Sequence, residues 1–377
     1  LAMSMLENFF DIKKNSRDLF AGLEISASEE LCSRWMNQCP TVSLSFRQVD
    51  GLDFSSAYDM LTMVISNLFN RHRYLLESQE ISEFQKTAFV QIASQKATAG
   101  EIKNSLILLT DMMQTYYGKK VLLLVDEYDV PVAKANNNGY YEEMLDVMKG
   151  LMQALKDNRA LGFAVVTGCM KIAKESIFTG TNNFVSDTIA DSRLNEYFGF
   201  VQREVDQILA DGEITDKREL IKQWYDGYHF GDWDVYCPWD VMNYVLELQH
   251  NPQAKPAGYW KNTSDNAIIR SFIDYAGGSI TRKLEILMEG GYIIQQIDKN
   301  LTYDYLHSSE DNLWSVLYLT GYLTQVRSET LNRELPAGSA ALQIPNAEIR
   351  EIFETTVIRW FDDSAKTWNR NHLFAAV

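Results

Sequence analysis

Short apolar runs alternate with amphipathic stretches across residues 41–167. Thr41-Val-Ser-Leu-Ser-Phe46 follows Pro40 and is rich in β-branched and aromatic residues, which predicts a short strand. A helix is expected next, with Ala57, Leu61, Val64 and Leu68 on one face and Asp53 or Ser55 available to cap it. Another is expected from about Glu101 to Tyr117, carrying Ile102, Leu106, Leu109, Met113 and Tyr116, with Gly118 ending it. Val121-Leu-Leu-Leu-Val125 is apolar at every position and predicts a strand covered on both faces, as in a parallel sheet. After Asn136-Asn-Asn-Gly139, the spacing of Tyr141, Met144 or Leu145, Met148, Met152 and Leu155 gives a helix whose methionine stripe reads as core. Leu161-Gly-Phe-Ala-Val-Val-Thr167 reads as a second fully covered strand, closed by Gly168. Strands separated by helices imply an α/β parallel sheet.

Beyond about residue 205 the pattern becomes mostly helical. Aromatic residues cluster in Trp224-Tyr-Asp-Gly-Tyr-His-Phe-Gly231 and Tyr236-Cys-Pro-Trp239. Packing is the expected role of Trp224, Tyr225, Tyr228 and Phe230, as a wedge between sheet and helical region, with Gly227 and Gly231 at tight turns. Near the end, a helix from Asn312 to Leu319 precedes Tyr322-Leu-Thr-Gln-Val326 and Ala341-Leu-Gln-Ile344. A helix plus hairpin of this kind predicts a winged-helix-like arrangement. The expected divisions are 1–204 for the α/β core, 205–345 for the helical region and 346–377 for the start of a connection onward.

The sharpest chemical signal is Leu122-Leu-Leu-Val-Asp126 followed at once by Glu127. A buried parallel strand delivers functional groups at its carboxyl end, where doubly wound sheets bind ligands. Two adjacent acids there form the Walker B arrangement of P-loop NTPases. Asp126 would hold a hydrated Mg²⁺ bridging phosphate oxygens, and Glu127 would orient or deprotonate the attacking water. The alternative is two acids capping a strand end in a polar loop. Asp129 either supports the metal from behind or caps the next turn, and capping is the favoured reading. Thr167, at the end of the neighbouring strand, is placed to contact the γ-phosphate, and Lys171 to sense it. Local satisfaction of the Thr167 strand end, with a solvated Lys171, explains the same residues equally well.

Composition narrows the classes. The 377 residues hold 51 acidic and 35 basic side chains, a net charge of -16, which argues against a chain devoted to gripping nucleic acid. No apolar run approaches the roughly 20 residues of a membrane span. Cys32, Cys39, Cys169 and Cys237 form no CxxC pair and read as reduced thiols, consistent with a cytoplasmic protein. The five histidines share no metal-ligand spacing. No G-x-x-x-x-G-K-[ST] phosphate loop occurs. Leu1 opens an apolar helical stretch without an N-cap, so the sequence is expected to be a fragment cut inside its first helix, with the loop upstream.

Asp126-Glu-Tyr-Asp-Val-Pro131, Gly139-Tyr-Tyr141, Leu155-Lys-Asp-Asn158, Thr167-Gly168 and Lys174-Glu-Ser-Ile-Phe-Thr-Gly-Thr-Asn-Asn183 occur in a telling order. Phe198-Gly-Phe200, Trp224–Gly231, Pro238-Trp239, Tyr259-Trp-Lys-Asn-Thr-Ser264 and Ile344-Pro-Asn346 continue the series. Together they make the chain resemble the bacterial AAA-ATPase-like family, whose members often carry a C-terminal PD-(D/E)XK nuclease-like domain. The resemblance implies a P-loop NTPase-type sheet of the additional-strand class with its first strand absent here, and an Arg-Arg-Phe-Gly-Lys-Thr phosphate loop before Leu1. It also implies ATP with Mg²⁺ as ligand in the parent protein, an inactive fragment, and a nuclease-like domain beyond Val377. Lys171 stands where an Arg is common, which removes bidentate phosphate contact at that position. A degenerate ATPase serving as scaffold for a nuclease is the competing expectation, and oligomerisation stays open.

Overall fold

The computed structural model describes residues 2–156, 158–169, 184–191, 193–260, 278–299, 301, 309–331 and 334–356. The chain divides at Phe184/Val185 into two compact units.

The first unit is built on three parallel strands, β1 (Thr41–Ser45), β2 (Val121–Asp126) and β3 (Leu161–Val166), in the order β1-β2-β3. Helices α1 (Ala2–Phe10) and α2 (Glu29–Trp35) precede β1. Between β1 and β2 lie α3 (Phe54–Arg71), α4 (Glu83–Ala93), α5 (Ala99–Lys103) and α6 (Ser105–Tyr117). Helices α7 (Val130–Asn138) and α8 (Tyr141–Met152) connect β2 to β3. Each crossover returns the chain to the same end of the sheet, as parallel pairing requires.

Local chemistry explains the element ends. Asp53 caps α3 by accepting the Ser56 N–H at 2.8 Å while the Ser56 hydroxyl returns toward the Asp53 backbone. Gly118 closes α6 in the left-handed region (φ 63°). The single helix expected over 101–117 is broken at Asn104, and a Thr98/Glu101 capping box starts the first piece. Met144, Met148 and Met152 of α8 are at most 1% exposed, so the methionine stripe is core. Burying such a side chain contributes about 1.5–3 kcal/mol.

The central strand β2 is buried from Val121 to Val125. β3 corrects the expectation of a second fully covered strand. Leu161 and Ala164–Val166 are half-buried, Gly162 is exposed and Phe163 is 68% exposed. Among the described residues β3 pairs only with β2, so one edge and part of one face lack a covering element. Its apolar sequence specifies residues suited to burial on both faces but cannot say which segment supplies the cover.

His72, just beyond α3, is 5% exposed, with Nδ1 3.2 Å from the Tyr74 hydroxyl. Burial, reinforced by the Lys13 and Arg71 charges, lowers its pKa to about 4. The unfolded chain, titrating near 6.5, therefore binds a proton that the folded unit refuses. This stabilisation is complete above about pH 6.5 and disappears as pH falls toward 4, a loss of about 3 kcal/mol. In His72→Gln, acid unfolding of the first unit is expected to flatten over that window, as followed by hydrogen exchange in α3.

The second unit has two cores. Helices α9 (Gln202–Asp211), α10 (Arg218–Tyr225) and α11 (Pro238–His250), with the hairpin β4 (Tyr228–Phe230) and β5 (Trp233–Val235), enclose the first. Tyr225, Tyr236, Tyr244 and Val241 are its buried centre. The other core joins α12 (Gly278–Met288), α13 (Glu310–Leu319), a helix α14 over residues 347–356, and an antiparallel sheet. That sheet is β6 (Ile293–Gln296), β7 (Thr324–Gln325) and β8 (Ser339–Gln343) in the order β6-β8-β7. The expected hairpin is present as β7 and β8, and β6 adds a third strand. Trp314, Leu317, Leu342, Ile349 and Phe353 fill this core. Tyr225 and Tyr228 pack in these cores, with Gly227 (φ 97°) and Gly231 (φ 56°) in left-handed turns.

Candidate functional site

The carboxyl ends of β2 and β3 converge on four chemically active side chains. Asp126 is the last residue of β2, and its backbone C=O accepts the Phe46 N–H at 3.0 Å, which ties it to the exit of β1. From the other side, the Thr167 hydroxyl donates to Asp126 Oδ1 at 2.5 Å. The Thr167 backbone is fixed by its N–H donating to Val125 C=O at 2.9 Å and by its C=O accepting the Tyr128 N–H at 3.1 Å. Asp126 and Thr167, predicted on separate strands, are thus direct partners.

Glu127 lies in the left-handed region at φ 53°. A non-glycine residue there stores of order 1–3 kcal/mol of backbone strain, held by the surrounding structure. Burial raises the Glu127 pKa first, and the Asp126 and Asp129 charges add to it, while Arg47 opposes them. A carboxyl shifted upward is a stronger base once ionised, the direction that suits proton abstraction. Arg47, two residues past β1, was missed by the sequence reading. Its only signal was a basic residue at the carboxyl end of a strand.

Asp129 is 1% exposed and holds the N-cap position of α7, but its side chain makes no cap hydrogen bond to that helix. It crosses instead to the exit of β3, where Oδ2 accepts the Cys169 N–H at 3.0 Å. Gly168 makes this approach feasible. A Cβ there would lie 2.4 Å from Asp129 Oδ1 and 2.7 Å from the Tyr128 ring. The favoured capping reading of Asp129 therefore gives way to a strut between two strand ends. Lys171 lies outside the described residues.

No group of three or more His, Cys, Asp or Glu side chains among the described residues is arranged to hold a metal. A hydrated Mg²⁺ does not need one: it typically keeps several waters and uses one or two carboxylates with substrate phosphates. Asp126, a carboxylate side chain at a strand end, fits that requirement.

An α/β sheet with acids at the exit of its central strand agrees with comparison to known proteins. Residues 1–178 match the model of the AAA-ATPase-like family, described as predicted AAA-ATPase. Over 255 residues, 66% of the chain, the sequence is 26% identical to a protein of Azotobacter chroococcum mcd 1 described as an uncharacterized protein in the vnfD 5′ region. The match covers 45% of that relative, so the chain spans about half its length. No solved structure matches the chain. Among the described residues no helix is long and apolar enough to cross a membrane.

Proposed function

We propose that the first unit is the greater part of a P-loop NTPase core of the additional-strand class, working on ATP with Mg²⁺. The observation that carries this reading is the 2.5 Å contact between Thr167 and Asp126 at adjacent parallel strand exits, with Glu127 following Asp126 in a left-handed conformation. Asp126 would hold Mg²⁺ through water, and the ion would supply charge neutralisation at the β- and γ-phosphates. Glu127 orients and deprotonates the attacking water, Thr167 contacts the γ-phosphate side of the site, and Lys171 serves as a sensing cation. Asp129 supports the metal site from behind by holding the β3 exit in register with Asp126.

The uncovered edge of β3 supports a further element of the proposal. A strand feeding a phosphate loop would pair there, covering Gly162 and Phe163. The 377 residues contain no phosphate-loop motif, so they are expected neither to bind ATP tightly nor to hydrolyse it. The second reading is a nucleotide-insensitive scaffold for a nuclease-like domain.

Titration calorimetry of a longer protein that includes residues upstream of Leu1 separates the two. The ATPase reading expects saturable heat with ATP that requires Mg²⁺ and shrinks at least tenfold in affinity in Asp126→Asn. No magnesium-dependent heat with ATP would leave the scaffold reading.

A further inference from the structure

Trp224–Gly231, Pro238-Trp239, Tyr259-Trp260 and Ile344-Pro-Asn346 find no role in nucleotide chemistry, yet the second unit gathers them around two acids. Asp240 and Glu348 are both 0% exposed. Asp240 is the third residue of α11, and Glu348 is the second residue of α14. Asn346 caps α14 by accepting the Ile349 N–H at 3.0 Å, and its Nδ2 donates to Asp226 C=O at 3.0 Å. The Trp260 N–H donates to Glu348 Oε1 at 2.9 Å and also acts on Asp240.

The remaining oxygens are not satisfied in this way. Asp240 Oδ1, Asp240 Oδ2 and Glu348 Oε2 are buried and meet no well-aligned hydrogen-bond donor among the described residues, although the Cys237 thiol and the Trp260 N–H lie close enough to act on Asp240. The two carboxyl groups nonetheless lie within side-chain hydrogen-bonding reach of each other. Two carboxylates cannot hydrogen-bond, because neither has a donor, and a buried dianion without a cation is strongly disfavoured. Among the described residues, the titratable groups facing the pair are Cys237, Tyr225, Tyr228, Tyr259 and Glu351. None is basic. The helix N-termini beneath the acids offer only partial positive charge.

We propose that Asp240 and Glu348 share one proton, and that this proton is a lock joining α11, α14 and the Trp260 segment, which loosens as pH rises. One O–H donates across the pair and turns two orphaned acceptors into a hydrogen bond. The proton belongs to the pair rather than to either residue.

Burial raises both carboxyl groups above their ordinary range; the Asp240 charge and the bond between the two acids push Glu348 further up, while that bond, the Cys237 thiol and the Trp260 N–H pull Asp240 back down. Burial also pushes the Cys237, Tyr225, Tyr228 and Tyr259 ionisations upward, so those groups stay neutral while the pair titrates. The unfolded chain has lost its carboxyl protons above about pH 4.5, whereas the folded pair keeps one. The lock is therefore complete at or below the ordinary carboxylate range. It weakens as pH rises to the raised value, by at most about tenfold in the local folding equilibrium per pH unit.

Hydrogen exchange on the full chain between about pH 5 and 9 tests this, with rates corrected for intrinsic base catalysis. In the wild-type chain, protection across 238–250 and 347–356 should fall by up to tenfold per pH unit as pH rises, while helices of the first unit lose none of theirs. Asp240→Asn and Glu348→Gln each place a permanent amide donor where the proton sat, and each should flatten the profile. Infrared spectroscopy of the wild type near neutral pH should show a protonated carboxyl band that disappears in the double variant. Profiles of both single variants that superimpose on wild type, or lack of the infrared band, would overturn the shared proton. So would stabilisation of wild type by added Mg²⁺ or Ca²⁺ that Asp240→Asn abolishes, since a metal ion would then neutralise the pair.

Discussion

Glu127→Gln, in a longer protein that binds ATP, is expected to lower turnover by about 10²–10⁴-fold while leaving ATP affinity within a factor of about three. The substitution keeps the shape of the side chain and the strained φ of 53°, so the β2 exit stays intact. In the proposed mechanism it removes the group that takes a proton from water. Asp126 cannot substitute, because its Oδ1 is engaged by the Thr167 hydroxyl. Asp126→Asn is expected to fail differently, losing magnesium-dependent binding before chemistry is reached. Single-turnover hydrolysis measured beside equilibrium binding distinguishes the two variants. Turnover that survives Glu127→Gln would remove Glu127 from the role of base.

The largest expected effect on stability belongs to Gly227→Ala, which should destabilise the second unit by about 2–5 kcal/mol. Two independent penalties combine there. The φ of 97° is strained for any residue with a Cβ, at roughly 1–2 kcal/mol. The added Cβ would also lie 2.1 Å from the Pro345 carbonyl oxygen, a backbone atom that cannot rotate away. Overpacking of that kind adds about 1–3 kcal/mol. The collision lies next to Asn346, which caps α14 and bonds Asp226 C=O, so relief of the clash would disturb the start of α14. Hydrogen exchange in α10 and α14 reads the loss directly, with α3 and α8 of the first unit as internal controls. A change below about 1 kcal/mol would show that the Pro345 segment yields easily.

Legibility differed from element to element for physical reasons. The uninterrupted apolar run of β2 and the methionine spacing of α8 reported burial correctly, because each periodicity is set by the geometry of its own element. The same logic overreached at β3, whose residues are suited to cover that the described chain does not provide. Asn104 interrupts a stretch whose apolar spacing runs on unbroken through α5 and α6, so hydrophobicity alone joined them. Asp126 and Glu127 were visible from their place at a strand end. Their partners were less so: Thr167 was assigned to a ligand, and its bond to Asp126 was not foreseen.

By itself, the sequence determined an α/β first half, the acids at the exit of its central strand, and the glycines of its left-handed turns. Those depend on local periodicity and on backbone conformations that a residue imposes on itself. Tertiary structure alone decided that Asp129 spans to Cys169, that Arg47 opposes the charges around Glu127, and that Asp240 meets Glu348. Such pairings depend on which distant segments fold against one another, and an acid written in a sequence looks the same whether it ends in water or against another acid.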